Sequence, residues 1–539
     1  MTLIPPFTRS PSRESPSTFS EDMDIRLSEE NLRISAANTQ ANENNANATL
    51  CQNMAILSSN SANSAAQSEL NAQASANFKG VWNSTTAYLV GQSISKNGNF
   101  YRCAVSNTNK DPTSEPTYWV DTLPFIKTIT DYMFPIGDKS YKLGTAGEIG
   151  FGVATALYAD YTSAGMVPLE GHTMPLSPNY GNYLHIASGS VMVYIPKHYY
   201  KIDGNTVTFS DVAADGYVLD RTFINAGIEK NGIFVMKYGA SSNNGVYSSR
   251  RLKAPLSAAS TNNPQGALLN TPSNTYGGCY KAVKSMDVKA FLTPLYVYAM
   301  LARLAYAHGK AATTTTACAF IDVNPRLPKG NNNNALKDVN DVNLTFTGAG
   351  NATYPACALT GSGSNLAKTT HNGQACGVAD LNGNMWEVAS GFIRKDANGF
   401  MVLKESVDIA SIADDSTGTL GAYNIDLYDV LDVSSVIDVI GTSYFGNGAN
   451  PVFEFSTDRA SAAYKRTSIG LPLATGVSAA GTTEFGNDSL SKNFINDLAP
   501  ICGGNWGYSS YAGVFTLYLL NPRTTSNSVT GSRASLYAL

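Results

Sequence analysis

The chain has 539 residues, of which 43% are hydrophobic and only 14% are charged, with a formal net charge of −4. A chain of this length can build several domains, each with a core of its own. The weak negative charge excludes a basic surface for nucleic acid, and the most apolar helical run, PLYVYAMLARLAYAHGK, contains Arg303 and is too short for membrane insertion.

Residues 1–77 form the first compositional unit. They begin with MTLIPPFTRSP, which has early prolines and no apolar signal sequence, so we expect synthesis in a cytoplasm without secretion by the usual route. The remainder is rich in Ala, Asn, Gln and Ser and cannot fold alone. Two interpretations stay open, a disordered tail or a slender helix stabilised by assembly with copies of itself. Leu50, Met54 and Leu57 lie at coiled-coil spacing and favour the helix.

Residues 78–122 have the pattern of a small β module. Alternating apolar runs flank Asn97 and Gly98, which predicts a hairpin. The recurrent aromatic residues resemble those of small chitin- and cellulose-type carbohydrate-binding modules. This resemblance implies that Tyr118 and Trp119 are candidate glycan-binding residues, whose rings would stack on a sugar. The alternative is that the aromatic side chains are the core of a module that serves as a spacer.

A connector over residues 123–190 precedes one large α+β domain over residues 191–539. Within this domain VMVYIPKHYYKI and NGIFVMKYGAS predict strands, and GNMWEV predicts a strand over Met385–Val388. TPLYVYAMLARLAYAHGKA predicts a helix with Thr293 as its cap, Pro294 at its first position and Gly309 at its end.

Residues that carry chemistry are scattered along the sequence. The seven cysteines lack the spacing of a zinc site or a disulfide framework, and we interpret them as buried thiols. The five histidines have no carboxylate or cysteine partner at ligand spacing. Asp414 and Asp415 indicate either a solvated loop or a calcium site. We therefore predict no catalytic residue, no metal site and no cofactor.

Several motifs occur together between residues 190 and 539. They are MVYIPKHYYKI, GVADLNGNMWEV at 377–388, CGGNW, and GSRASL near the end of the chain. In this combination they resemble the formylglycine-generating-enzyme branch of the C-type lectin fold, which implies a C-type lectin-like domain. Enzymes of that branch use a close pair of cysteines near the C-terminal core. Only Cys502 lies in this region, so the resemblance implies the fold without the catalytic activity.

The segment over about 503–536 is similar to the C-terminus of the variable proteins of diversity-generating retroelements. GGNW, AGVFTLYLLN and GSRASL match the pattern of that family, with Ser509 in place of its Gly and Ser532 in place of its Phe. In the family an adenine-specific error process rewrites Asn codons. This process cannot convert them into codons for Lys, Glu, Gln, Met or Trp. None of these five residue types occurs after Trp506.

The resemblance implies a variable receptor-binding surface. Phe515, Leu517 and Leu519 alternate as a buried strand face would, so Thr516 and the residues two and four positions later should point outward. Arg533 matches a near-terminal Arg of the family, and we expect it to form a structural ion pair or a carbonyl contact. The predicted receptor contacts are Gly507, Tyr508, Ser510, Tyr511, Tyr518, Leu520, Asn521, Arg523 and Thr525.

Residues 1–77 resemble the virion-attachment end of phage tail-fibre proteins. Joined to the other regions, they predict a homotrimeric tail fibre of the virion whose tip binds a bacterial surface receptor, either protein or glycan, and sets host tropism. Other tail or baseplate proteins of the virion would be its partners. Two alternatives stay open: a tail-spike enzyme that degrades surface polysaccharide, and a purely structural fibre or baseplate protein.

Overall fold

The computed structural model describes residues 27–39, 78–96, 99–121, 141–395, 399–412, 424–434, 441–493 and 495–538. The chain divides into two compact units, Met1–Ile129 and Thr130–Leu539. In the first unit, residues 27–39 form a helix, α1, within the predicted stalk. The predicted coiled-coil positions near residue 54 lie outside the described residues, as do Asp414 and Asp415.

The small β module contains the predicted hairpin. Its strands are β1 (Phe78–Val81), β2 (Ala87–Tyr88), β3 (Ser93–Lys96), β4 (Asn99–Cys103), β5 (Asn107–Thr108) and β6 (Trp119–Asp121). One sheet has the order β1-β3-β4-β6, and β2 pairs with β5. Strands β3 and β4 are antiparallel, and Lys96 pairs with Asn99; the predicted turn residues Asn97 and Gly98 lie outside the described residues.

The burial of Trp119 contradicts its predicted role in stacking on a sugar together with Tyr118. Its side chain is only 2% exposed and packs edge-on against Tyr88, with ring centroids 5.2 Å apart. Its indole N–H donates to the backbone carbonyl of Lys110 at 2.7 Å. A module of this size has few residues for a core, so Trp119 serves as core and offers no face to a sugar. Tyr118 is half-buried beside the Lys110 ammonium.

The second unit contains two larger sheets. Its first elements are α2 (Tyr158–Ser163), β7 (Met166–Pro168), β8 (Asn182–His185), β9 (Ser190–Pro196), β10 (Tyr199–Asp203), β11 (Thr206–Ser210), β12 (Val218–Leu219), β13 (Ile224–Asn225), β14 (Ile228–Glu229), β15 (Gly232–Met236), β16 (Ala240–Asn243) and β17 (Val246–Ser249). There follow α3 (Gly278–Lys284), β18 (Phe291–Leu292), α4 (Leu295–Ala311), β19 (Trp386–Val388), β20 (Phe392–Arg394), β21 (Phe400–Leu403) and β22 (Tyr428–Val430). The last are β23 (Gly441–Phe445), α5 (Ala462–Ser468), β24 (Val477–Ser478), β25 (Ser489–Lys492), β26 (Ile501–Gly503), β27 (Gly513–Leu519), β28 (Thr530–Ser532) and β29 (Ala534–Tyr537).

The six-stranded sheet has the order β18-β29-β15-β9-β8-β7, and its neighbouring strands are antiparallel. Strands β7 and β8 come from the predicted connector over 123–190, so the folded unit includes part of that segment. These strands are only three and four residues long, too short to show an alternating pattern in the sequence. The strands predicted from VMVYIPKHYYKI and NGIFVMKYGAS are present as β9, β10, β15 and β16.

The seven-stranded sheet has the order β24-β23-β25-β27-β26-β19-β28, which places the C-terminal segment's β27 at its centre. Strands β25 and β27 are parallel, as are β19 and β28. Helix α4 packs against the sheet, with the Tyr306 ring centroid 5.9 Å from that of Phe515. Mixed helix and sheet of this kind is an α+β architecture, as predicted.

The predicted helix is present as α4, but its ends differ from the prediction. Pro294 precedes the first helical residue, and the Thr293 hydroxyl contacts the Ser535 hydroxyl instead of capping the helix. Gly309 lies inside the helix instead of at its end. A side chain is excluded there, because a Cβ would be 2.3 Å from the Arg326 carbonyl oxygen. Arg303, which interrupts the apolar run, donates to the Asp220 carboxylate at 2.6 Å in the core.

The expected structural contact of Arg533 is confirmed. Its guanidinium donates to both carboxylate oxygens of Glu387, at 3.0 and 2.8 Å, and both side chains are buried. It also donates to the backbone carbonyls of Met236 and Ala379. Glu387 belongs to β19 and Met236 to β15, so the Arg533 guanidinium joins the two larger sheets through four hydrogen bonds.

We predict that Glu387→Gln lowers the free energy of unfolding by about 3–5 kcal/mol, because it leaves the buried Arg533 guanidinium without its counter-charge. Urea denaturation followed by circular dichroism measures this change. The control is Arg459→Gln, which removes a partly exposed pair with Glu405 and should cost less than about 1 kcal/mol. Equal losses in the two variants would contradict a stabilising role for the Arg533 contacts.

Candidate functional site

The alternation predicted for β27 is present on its buried face. Phe515, Leu517 and Leu519 are 7%, 3% and 0% exposed, whereas Tyr518 is half-buried on the opposite face. Thr516 was predicted to be displayed, and this prediction is wrong. The backbone at Tyr511 folds back over Thr516, whose hydroxyl donates to the Tyr511 carbonyl at 2.5 Å, and the threonine is buried.

Four tyrosines lie next to one another on the outer face of the seven-stranded sheet, and we call them the tyrosine surface: Tyr444, Tyr508, Tyr511 and Tyr518. The Tyr511 ring centroid is 5.0 Å from that of Tyr444 and 6.2 Å from that of Tyr508. Tyr511 is 43% exposed, and the other three are half-buried. The structure therefore brings the three predicted tyrosines into one patch.

Trp386 supports two rings of this surface from below. The Tyr508 ring packs edge-on against the indole at 4.7 Å, and the Tyr518 ring packs against it at 5.4 Å. Trp386 itself is buried in β19. The rings thus lose rotational freedom before any ligand binds, which lowers the entropy cost of binding.

The paired glycines before Trp506 are required by close approach of the backbone. Gly503 and Gly504 have φ angles of +90° and +86°. A Cβ would be 2.3 Å from the Leu381 carbonyl oxygen at Gly503 and 2.6 Å from the Ala512 Cβ at Gly504. Both the left-handed conformation and the lack of space exclude larger residues. Trp506 is buried, and its backbone N–H donates to the Asn384 carbonyl. This end of the segment is therefore anchored.

A buried ion pair holds the segment from beneath. The Lys329 ammonium lies 2.5 Å from the Asp488 carboxylate, and both side chains are buried. Lys329 also lies within donor distance of the carbonyls of Ser510 and Ala512, at 2.8 and 2.7 Å. The Phe515 N–H donates to Asp488 at 2.8 Å. These contacts involve backbone atoms of the segment, so they do not depend on which side chains it displays.

Ser509 lies in the turn between Tyr508 and Tyr511 and has an unusual backbone conformation. Its φ angle is +60°, in the left-handed region that L residues other than Asn and Asp rarely occupy. The Ser509 N–H donates to the Asn332 carbonyl at 2.7 Å, which fixes the turn despite this strain. Ser at this position is therefore compatible with the turn.

The remaining predicted contacts divide by exposure. Gly507 is exposed, and a second group is half-buried: Ser510, Leu520, Asn521 and Thr525. Arg523 is buried, with an ion pair to Asp497 in which Nε lies 2.8 Å from the carboxylate. This corrects its assignment as a receptor contact. The sequence alone does not reveal the burial, because the partner carboxylate lies 26 residues away and the local pattern is polar.

Two residues of the site were not predicted. Tyr444 belongs to β23 and Ser489 to β25, both outside the segment 503–536. The Ser489 hydroxyl donates to the Tyr508 hydroxyl at 3.3 Å. Neither residue lies in a recognisable motif, and their proximity arises from the strand order of the sheet.

A histidine, a serine and an aspartate meet outside the tyrosine surface. His185 contacts the Ser188 hydroxyl at 2.9 Å and the Asp287 carboxylate at 3.3 Å; Asp287 lies 102 residues away in the sequence, so spacing along the chain gives no sign of this contact. Ser188 has no exposed surface, so this triad presents no accessible nucleophile. Cys502 is buried, and burial raises the pKa of its thiol.

Among the described residues, no three His, Cys, Asp or Glu side chains converge on a point where a metal ion could bind. None of the helices in the same ranges has the length and hydropathy needed to cross a membrane.

Comparisons with known proteins identify no family. No protein-family model matches the chain, and no curated protein matches it. Among solved structures, the Major Tropism Determinant I1 variant aligns with a TM-score of 0.23 and 10% identity, over 85% of this chain and 99% of that chain. The M1 variant aligns with a TM-score of 0.20 and 10% identity, over 85% and 97% of the two chains. TM-scores this low do not establish a shared fold.

A loop beside the tyrosine surface contains a perturbed carboxyl group. The Asn334 N–H donates to the Trp506 carbonyl, which joins this loop to the segment. Asp338 is buried in the same loop and accepts from the N–H groups of Asn340 and Asp341. Desolvation raises the pKa of Asp338 to about 6, although Lys329 and the two N–H groups favour the charged form.

We predict that Asp338→Asn stabilises the protein near neutral pH. A folded-state pKa above the unfolded value means that the contribution of Asp338 to stability is lost as pH rises from about 4 to about 6. The variant removes this loss. Its free energy of unfolding should therefore exceed that of the wild type by on the order of 2 kcal/mol at about pH 7.5. Urea denaturation at both pH values measures the difference, which should vanish at about pH 4. A variant less stable than the wild type at about pH 7.5 would show that the carboxylate is needed there.

Proposed function

We propose that the chain is a phage tail-fibre adhesin that binds a bacterial surface receptor and sets host tropism. The observation that carries the proposal is the arrangement of Tyr508, Tyr511 and Tyr518 on one face above a backbone held by Lys329. Because the supports contact main-chain atoms, the displayed side chains can change while the turn and strand persist. This is the arrangement that a variable recognition surface requires.

The chemistry of the surface supports recognition by contact. A tyrosine ring offers a large contact area with few rotatable bonds, and Ser and Gly provide adaptable hydrogen bonding. The central contacts in the proposal are Tyr508, Tyr511 and Tyr518, with Gly507 and Ser510 between them. Leu520, Asn521 and Thr525 would extend the surface, and the buried Arg523 is omitted.

The proposal extends to the rest of the chain. Residues 1–77 would attach to other virion tail or baseplate proteins and assemble a homotrimeric stalk, with α1 as one described part of it. Residues 78–122 would act as a spacer, since Trp119 is core. The second unit would be a C-type lectin-like domain of the formylglycine-generating-enzyme branch, retained for binding without catalysis. A trimer would hold a host surface through several weak contacts at once.

We predict that replacing Tyr508, Tyr511 and Tyr518 together by Ala abolishes binding of the purified full chain to bacterial cells that bind the wild type. The free energy of unfolding should fall by only about 2–3 kcal/mol, because the ring contacts with Trp386 are lost while the backbone supports remain. Flow cytometry of labelled protein on a panel of strains measures binding, and urea denaturation measures stability.

The matched control is Tyr158→Ala, which removes a tyrosine ring that is 74% exposed on α2. This variant should bind as the wild type does. Tyr511→Ala alone tests the same idea with the most exposed ring of the surface and the smallest expected loss of stability. Undiminished binding by a folded triple variant would contradict the proposed site.

A further inference from the structure

A loop outside the C-terminal segment runs alongside the turn that carries two of the displayed tyrosines. We call residues 331–337 the asparagine loop, since their sequence is NNNNALK. The Asn332 carbonyl accepts from the Ser509 N–H at 2.7 Å, and the Asn334 N–H donates to the Trp506 carbonyl at 2.8 Å. Both hydrogen bonds join main-chain atoms, so the loop and the turn keep a fixed spacing whichever side chains the turn displays.

The asparagine loop is itself held by the core beneath it. The Asn331 side-chain amide donates to the Ala356 carbonyl at 2.8 Å, and the Asn331 carbonyl accepts from the Asn384 N–H at 2.6 Å. The Asn332 N–H donates to the Lys337 carbonyl at 3.1 Å, which closes the loop. Because these contacts fix the backbone before a receptor binds, the exposed tip of the loop is preorganised.

The Asn334 side chain is exposed at this tip, and no group in the described part of the chain forms a hydrogen bond with its amide. It lies beside Gly507, which is also exposed. A Cβ added to Gly507 would be 3.1 Å from Asn334 Oδ1 and 3.4 Å from Nδ2, a tight contact that a small rotation of the amide relieves. The amide can both donate and accept, so it offers a receptor two kinds of hydrogen bond next to the predicted contact at Gly507.

Position 507 differs from the paired glycines earlier in the segment. Gly503 and Gly504 have positive φ angles, and an added Cβ would meet main-chain or Cβ atoms at 2.3 and 2.6 Å. Gly507 has no positive φ angle, and the atoms nearest to its added Cβ belong to side chains. The backbone at 507 therefore accepts L residues without left-handed strain. A side chain there would meet the Asn334 amide first, so the identity of residue 507 sets the orientation of Asn334.

We infer that Asn334 is a further receptor-contact residue, and that residue 507 determines specificity partly by positioning the Asn334 amide. The inference rests on the proposed function and extends its recognition surface to a loop outside the C-terminal segment. A receptor group seated against Gly507 would lie within reach of the amide, and a polar group such as an amide or a hydroxyl would satisfy it. The recognition surface would thus combine a fixed hydrogen-bonding group with variable ones.

A purely structural role for Asn334 is the alternative. Its φ angle is +59°, in the left-handed region that Asn tolerates better than most residues, and its N–H holds the Trp506 carbonyl. Glycine adopts the same conformation and keeps the N–H but lacks the amide. Asn334→Gly therefore removes the proposed contact while it preserves both structural features.

The first experiment measures the apparent Kd of the labelled full chain on bacterial cells that bind the wild type. Asn334→Gly should raise the apparent Kd about tenfold, the effect of leaving a receptor group without its hydrogen bond. Asn334→Asp keeps the backbone preference and the side-chain shape but loses the amide donor, and it should also weaken binding. If Asn334→Gly proves to be unfolded, the Asp variant decides whether the contact exists.

The matched control is Asn244→Gly. Asn244 is another exposed Asn with a positive φ angle, +52°, and it lies in the turn between β16 and β17. This variant should bind as the wild type does. Urea denaturation should show similar stabilities for Asn334→Gly and Asn244→Gly, because the two changes make the same demand on the backbone.

A double-mutant cycle tests the link between positions 334 and 507. Gly507→Ala adds only the Cβ that crowds the Asn334 amide, and it should raise the apparent Kd of the wild type about fivefold. In the Asn334→Gly background the same change should alter the apparent Kd less than about twofold, because the amide is absent. A purely structural role for Asn334 would not produce this difference.

The outcomes distinguish this inference from the proposed function. Binding that survives the triple tyrosine replacement contradicts the proposed site itself. If the triple variant does not bind but Asn334→Gly and Asn334→Asp bind as tightly as Asn244→Gly, the proposed site stands and Asn334 is not a contact. Equal effects of Gly507→Ala in the two backgrounds overturn the positioning role of residue 507.

Discussion

The contact between Lys329 and Asp488 determines where the C-terminal segment lies. An ammonium group buried without a counter-charge would be costly, so the pair must stay together once the core is formed. Lys329 also contacts the Gly486 carbonyl and two carbonyls of the turn, those of Ser510 and Ala512, while Asp488 accepts from the Phe515 N–H near the start of β27. The path of the backbone is thereby set by two side chains outside the segment.

This arrangement separates the frame from the displayed side chains. The frame includes Arg533, which connects the two larger sheets through Glu387, and Gly503 and Gly504, which allow the chain to pass close to its neighbours. None of these residues belongs to the tyrosine surface. A change in a displayed ring therefore alters contacts at the surface while the main supports beneath it remain.

Local patterns in the sequence predict much of the fold. The hairpin of β3 and β4, the helix α4 and the alternation of Phe515, Leu517 and Leu519 all follow from neighbours within a few residues, where periodicity and turn chemistry act directly. The structural role of Arg533 follows from a motif. In each case the decisive interaction is short in sequence or belongs to a recognised pattern.

Long-range contacts account for the predictions that are wrong. Arg523 is buried by Asp497 and Thr516 by the fold of the turn, and neither event leaves a local signal. Trp119 looks like a sugar platform in sequence, but the small module needs it as core. Tyr444 joins the site only because β23 and β25 are neighbours in the sheet. Residues that meet through strand order cannot be identified from spacing alone.

Amide hydrogen exchange in β27 tests most directly whether the frame, and not the tyrosine rings, holds the segment. The account predicts that Phe515 and Leu517 keep their slow exchange when the three displayed tyrosines of the segment are replaced by Ala, and that Lys329→Met accelerates it strongly. Similar acceleration in both variants would mean that the rings are part of the support, and the separation of frame from surface would be contradicted.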